Sequence, residues 1–112
     1  AAEVISEWLS QQPKGDTLMI VGMLDNRDPV AFLAPLAPHV SALAGIVIPG
    51  DHEAHDATTL QNAGRDCGIA KSHACNDLKH AVEVLLAETP APSRILILGS
   101  LYLAGVVLEN HS

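Results

Sequence analysis

Four apolar runs recur along the chain at nearly even intervals, and nothing else in the sequence restricts the fold as much. They are Thr17-Leu18-Met19-Ile20-Val21-Gly22, Ala44-Gly45-Ile46-Val47-Ile48, the weaker Ile69-Ala70-Lys71-Ser72-His73, and Arg94-Ile95-Leu96-Ile97-Leu98. Each is continuous rather than alternating, the pattern of a strand covered on both faces. Helical patterns fill the intervals. Strand, helix and strand in that rhythm are the mark of parallel βαβ units, so the sequence predicts an α/β domain with a mainly parallel sheet.

The helices carry their own boundaries. Asp28-Pro29 reads as an N-cap and first turn, Thr58 with Gln61 three residues on as a capping box, and Asn76-Asp77 as the cap of a further helix. In that last helix Leu78, Ala81, Val82 and Leu85 fall on one face, turned to a sheet. Gly68 suits the end of the helix before it, and Thr89-Pro90 stops the last one. Pro35 interrupts the apolar pattern after Asp28, which predicts a short helix followed by an irregular piece up to Val40.

At the start of the chain Val4, Ile5, Trp8 and Leu9 form an amphipathic helical face with no strand ahead of it. Two arrangements fit: a first strand that the sequence lacks, or a helix that serves as an N-terminal cover. The first agrees better with the other helices, each of which follows a strand. A missing strand would leave a sheet edge exposed.

At 112 residues, with 48% hydrophobic and 17% charged residues, the chain is expected to be one folded domain. A domain of this size buries roughly two-thirds of its unfolded surface, enough for a core without staples. With one Trp, one Tyr and one Phe, that core must be aliphatic. The net charge of -7, with six bases scattered singly, argues against nucleic acid and against an anionic membrane surface as partners. No apolar run is long enough to span a bilayer and no signal-peptide pattern opens the chain, so a cytoplasmic location is expected. Cys67 and Cys75 show no metal-binding spacing and are expected to be reduced structural thiols.

Open parallel sheets bind ligands beyond the carboxyl ends of their strands. That rule nominates residues 22–28, 49–56, 73–76 and 99–100. Asp25, Arg27 and Asp28 offer charge-assisted contacts or a polar turn capped by Asp28. Asp51, His52, Glu53, His55 and Asp56 have the composition of a metal cluster but lack a helical H-E-x-x-H register, so a solvated acidic loop is expected. His73 is expected to face solvent at the sheet end. Gly99-Ser100 would join a strand to a helix over Leu101–Leu108, whose free N–H groups favour a carboxylate or phosphate. The chain contains no P-loop, no G-x-G-x-x-G after a strand, no G-x-S-x-G and no Cys/His nucleophile pattern, which disfavours a self-sufficient ATPase, dehydrogenase or hydrolase.

Two of these segments are familiar. Gly22-Met23-Leu24-Asp25-Asn26-Arg27-Asp28 resembles the G-M-L-x-D-K-D stretch of folylpolyglutamate synthase/dihydrofolate synthase, and Gly99-Ser100-Leu101-Tyr102-Leu103-Ala104-Gly105 resembles its G-S-L-Y-L-A-G stretch. Arg27 stands where the family usually has Lys, and the loop at Pro49-Gly50-Asp51-His52 diverges. The resemblance covers essentially all of residues 1–112. It implies the C-terminal domain of a Mur ligase superfamily member, a three-layer Rossmann-like fold lacking its first strand. The strand implied to lie upstream of Ala1 ends in an Asp-Gly-Ala-His-Asn-like motif. A central ATPase domain, carrying the P-loop and the magnesium ligands, is implied to precede it. The implied reaction activates a folate or dihydropteroate carboxylate with ATP and Mg as an acyl phosphate, which the amine of L-glutamate attacks. On this reading Ser100 helps hold a glutamate carboxylate, Asp25 and Arg27 line the interdomain cleft, and the chain alone is inactive, with no tightly bound cofactor.

Rival readings come from other classes. One is a stand-alone flavodoxin-like or receiver-like module gathering Asp25, Asp28 and Asp51 around a divalent ion, although no Lys follows Arg94 as a receiver requires. Another is a structural domain that oligomerises through an uncovered sheet edge.

Overall fold

A computed structural model describes residues 2–11, 15–23, 28–47, 55–90, 92, 94–99 and 102–109. In chain order these form α1 (Ala2–Ser10), β1 (Thr17–Gly22), α2 (Pro29–Leu33), a 3-10 turn (Ala37–His39), β2 (Ala42–Gly45), α3 (Ala57–Asp66), β3 (Ser72–Ala74), α4 (Leu78–Glu88), β4 (Arg94–Gly99) and β5 (Tyr102–Glu109). The strands make one sheet in the order β3-β2-β1-β4-β5. The first four are parallel, and β5 returns antiparallel along β4.

Strand alternation divides the core in two. Met19, Val21, Met23, Leu43, Leu96 and Leu98 point to one face, where they pack with Leu9 of α1, Leu33 of α2 and Leu60 and Ala63 of α3. Leu18, Ile20, Ala42, Ala44 and Ile95 point to the other, under Ala81 and Leu85 of α4. Three helices therefore cover one face and α4 covers the other, which gives the expected three layers with the sheet in the middle. The two thiols are free, and the sheet separates them. Cys67 packs against the first cluster while Cys75 is buried in the second. Burial pushes both thiols above their ordinary value, assisted by Asp66 and Asp28 at Cys67 and by Asp77 at Cys75, so both are held neutral.

Several boundaries follow the expectation and others correct it. Asp28 caps α2 by accepting from the N–H groups of Val30 and Ala31, with Pro29 in the first turn, and Pro35 is followed by the short 3-10 turn. Gly68 has φ of +100° and ends α3 in a Schellman motif, the N–H of Ile69 reaching Gly64 O and that of Gly68 reaching Arg65 O. That use of Ile69 explains why β3 begins at Ser72 and not at residue 69. The amide of Ile69 is committed to the helix end. The cap of α3 is Asp56, not Thr58, because the Asp56 carboxylate accepts from the N–H of Thr59 at 2.7 Å and leaves Thr58 inside the first turn. β2 lies two residues earlier than expected, since Ala42 and Leu43 are the residues that pair with Leu18 and Met19. Val4 is 69% exposed, so the buried face of α1 is Ile5, Trp8 and Leu9.

The largest correction is at the end of the chain, where Leu101–Leu108 was expected to be helical. Residues Tyr102–Glu109 form β5, with Ile97 opposite Val106 and Leu96 opposite Val107. A short apolar run does not distinguish the two states by periodicity. Here Gly105 would cost an interior helix about 1 kcal/mol, and Tyr102, Val106 and Val107 favour a strand.

Candidate functional site

The sheet order locates the site. β1 has β2 on one side and β4 on the other, so the chain steps outward in one direction from β1 through β2 and β3 and then returns to β1's opposite side. Such a reversal creates a crevice beyond the carboxyl ends of the two strands that flank it. The flanking ends are Gly22 and Gly99, which face each other in register.

Both segments singled out in the sequence leave the sheet from that pair. After Gly22 the chain passes through Met23 toward Asp25 and Arg27, and after Gly99 it passes to Ser100. Asp25, Arg27 and Ser100 lie outside the described residues, as do Asp51, His52 and Glu53 of the acidic loop. The helix N-terminus expected behind Ser100 is not there, because β5 follows instead. A contact that sequence reading missed also reaches the crevice: the backbone N–H of His55 donates to Met23 O at 2.9 Å, tying the residues before α3 to the end of β1. Nothing in the sequence flags a backbone bond of this kind.

The helix N-termini along this edge are already occupied. Asp28 caps α2, Asp56 caps α3 and Asp77 caps α4, the last by accepting from the N–H of His80 at 2.8 Å. A phosphate or carboxylate arriving at any of the three would meet a like charge where the helix dipole would otherwise attract it. Hydrogen bonds from Thr59, through its side chain and then its backbone N–H, hold the Asp56 carboxyl below its ordinary value, with a smaller contribution from the charge of His55. Among the described residues no group of His, Cys, Asp and Glu side chains could hold a metal ion. His73 does not simply face solvent: it is half-buried and its Nε2 contacts the carboxylate of Glu88 at the end of α4.

These features define a class first. A mainly parallel sheet in the order β3-β2-β1-β4-β5, with helices on both faces, is that of a Rossmann-like doubly wound fold. Within that class, three solved structures are similar over most of this chain. Mycobacterium tuberculosis folylpolyglutamate synthase complexed with ADP is 18% identical, with a TM-score of 0.69, over 80% of this chain and 20% of its own. E. coli FolC in complex with ADP, without folate substrate, is 20% identical, with a TM-score of 0.66, over 88% and 22%. The M. tuberculosis enzyme complexed with ADP and AMPPCP is 17% identical, with a TM-score of 0.69, over 88% and 24%. At these identities the likeness is one of fold, and the chain spans a fifth to a quarter of their length. No model of a known protein family matches the chain, and no curated protein does. Among the described residues no helix is long and apolar enough to cross a membrane.

Proposed function

We propose that this chain is the C-terminal domain of an ATP-dependent folylpolyglutamate or dihydrofolate synthase of the Mur ligase superfamily, and that it closes over a preceding central ATPase domain. The observation that carries this reading is the agreement of two independent likenesses. Synthase structures share the fold over 80–88% of the chain but only 20–24% of their own length. Separately, the motifs at residues 22–28 and 99–105 resemble the same enzymes, and each begins at one of the paired strand ends, Gly22 and Gly99, that border the crevice.

The residues described here do not form a cradle for nucleotide phosphate or magnesium. Three helix N-termini carry their own carboxylates, and no metal-binding group is present among the described residues. On this reading ATP and Mg are held by the central domain, and this chain supplies the wall that faces the glutamate. Ser100 contributes a hydroxyl to a glutamate carboxylate from the end of β4, without the helix dipole first expected behind it. Asp25 and Arg27, leaving the adjacent strand end, line the interdomain cleft. Closure of such a wall excludes water from a hydrolysable acyl phosphate.

In the full-length parent enzyme, Ser100→Ala is expected to raise the apparent KM for L-glutamate while leaving that for ATP unchanged. An unchanged glutamate KM removes Ser100 from the site. The purified 112-residue chain is expected to show no ATP-dependent joining of glutamate to folate or dihydropteroate. Turnover by the isolated chain, or a parent enzyme that does not join glutamate to either substrate, overturns the proposed function itself.

A further inference from the structure

The β3 edge of the sheet is closed by the helix that precedes it. In the parallel ladder the N–H of Leu43 takes Lys71 O and the N–H of Cys75 takes Gly45 O, so the inward-facing groups of this strand belong to residues 71, 73 and 75. The backbone groups of Ser72 and Ala74 consequently point outward, along the free edge. Such an outward row is a template for another strand. Here its acceptor at Ser72 O is already filled twice, by Gln61 Nε2 at 3.0 Å and by Arg65 Nη2 at 3.4 Å. Gln61 and Arg65 are four residues apart on α3 and so share one of its faces.

Their reach depends on how close α3 lies to the sheet. A Cβ on Gly64 would come within 2.5 Å of Ser72 Oγ, and a Cβ on Gly45 within 2.6 Å of Leu60 Cβ. Two glycines, one on each side of the contact, let the helix settle against β2 and β3. Ser72 is fixed in turn by its hydroxyl, which donates to Ile69 O at 2.6 Å.

We infer that Gln61 and Arg65 guard this edge against pairing with the β3 edge of a second copy of the chain. The inference is independent of the proposed function. It requires only that the freed carbonyl of Ser72 and the outward N–H of Ala74 become available together.

The test compares the 112-residue chain with its Gln61→Ala/Arg65→Ala variant by sedimentation over a concentration series. The variant is expected to self-associate roughly tenfold more strongly, the factor that one added intermolecular hydrogen bond of ordinary net strength supplies. Ala74→Pro is then added to the double variant. Proline at this position removes only an outward N–H and spares the bonds to β2, so it is expected to restore the behaviour of the unaltered chain. Unchanged association in the double variant overturns the inference, and so does association that Ala74→Pro does not reverse. Should the double variant fail to give the circular dichroism of the parent, Gln61→Met/Arg65→Met carries the same comparison, because it keeps an apolar stem at both positions and removes both donors to Ser72 O.

Discussion

Single residues in this chain matter most where they have no side chain. Gly45 sits beneath α3, and an added Cβ would lie 2.6 Å from Leu60 Cβ and 3.0 Å from the carbonyl oxygen of Ala57. Neither neighbour is the loose end of a flexible side chain, so the helix itself must move. Gly45→Ala is expected to cost about 2–3 kcal/mol in urea denaturation, in the range of overpacked cores. Gly68→Ala meets nothing within 4 Å and is limited by its φ of +100°, so about 1 kcal/mol is expected there. Equal losses at the two positions would show that close approach is not what selects glycine at residue 45. Arg94 is the converse case, a buried charge at the start of β4 whose Nη1 donates to Thr17 Oγ1 at 2.7 Å. That bond crosses between neighbouring strands and helps fix their register.

At the scale of the element, aspartate does the repeated work. Three helices begin with an Asp whose carboxylate accepts a backbone N–H, and for Asp56 the hydrogen bonds from the Thr59 side chain and then its backbone N–H lower the carboxyl below its ordinary value of 3.8. A carboxyl lowered on folding stabilises the native state above its unfolded value and loses that contribution as pH falls through the folded one. Asp56→Ala is thus expected to be less stable than the parent at neutral pH, with the gap closing as the pH falls through and below the ordinary carboxyl value of 3.8. A gap independent of pH would show that the charge of Asp56 contributes nothing. The sequence made α2 and α4 readable because Asp28-Pro29 and Asn76-Asp77 stand directly before their helices. It misdirected the start of α3, since Thr58-x-x-Gln61 imitates a capping box two residues inside the true cap, Asp56. β5 was not readable either. Its neighbour β4 decides its state, and an eight-residue apolar segment, Leu101–Leu108, with no polar face records no such partner. The candidate site was legible as far as its two motifs, Gly22–Asp28 and Gly99–Gly105. The bond from His55 to Met23 depends on where two loops meet, which spacing does not encode.

For the molecule as a whole, the decisive contact is a long-range one. β4 inserts beside β1 and brings Thr17 opposite Arg94, a separation of 77 residues. It also supplies Ile95, Leu96 and Leu98 to the two cores. A chain ending at Glu88 keeps all four helices and three strands but leaves one side of β1 unpaired along its length. It is expected to lose cooperative unfolding by circular dichroism and to expose dye-binding apolar surface. A cooperative transition in that truncated chain would mean that the first three strands suffice.

Because the middle of the sheet is sealed by β4, whose partner β1 lies 77 residues earlier, a nascent copy leaving the ribosome cannot finish this interior until residues 94–99 have emerged. Until then β1 travels with one flank bare, and closing so large a loop makes this late joining the slow event of folding.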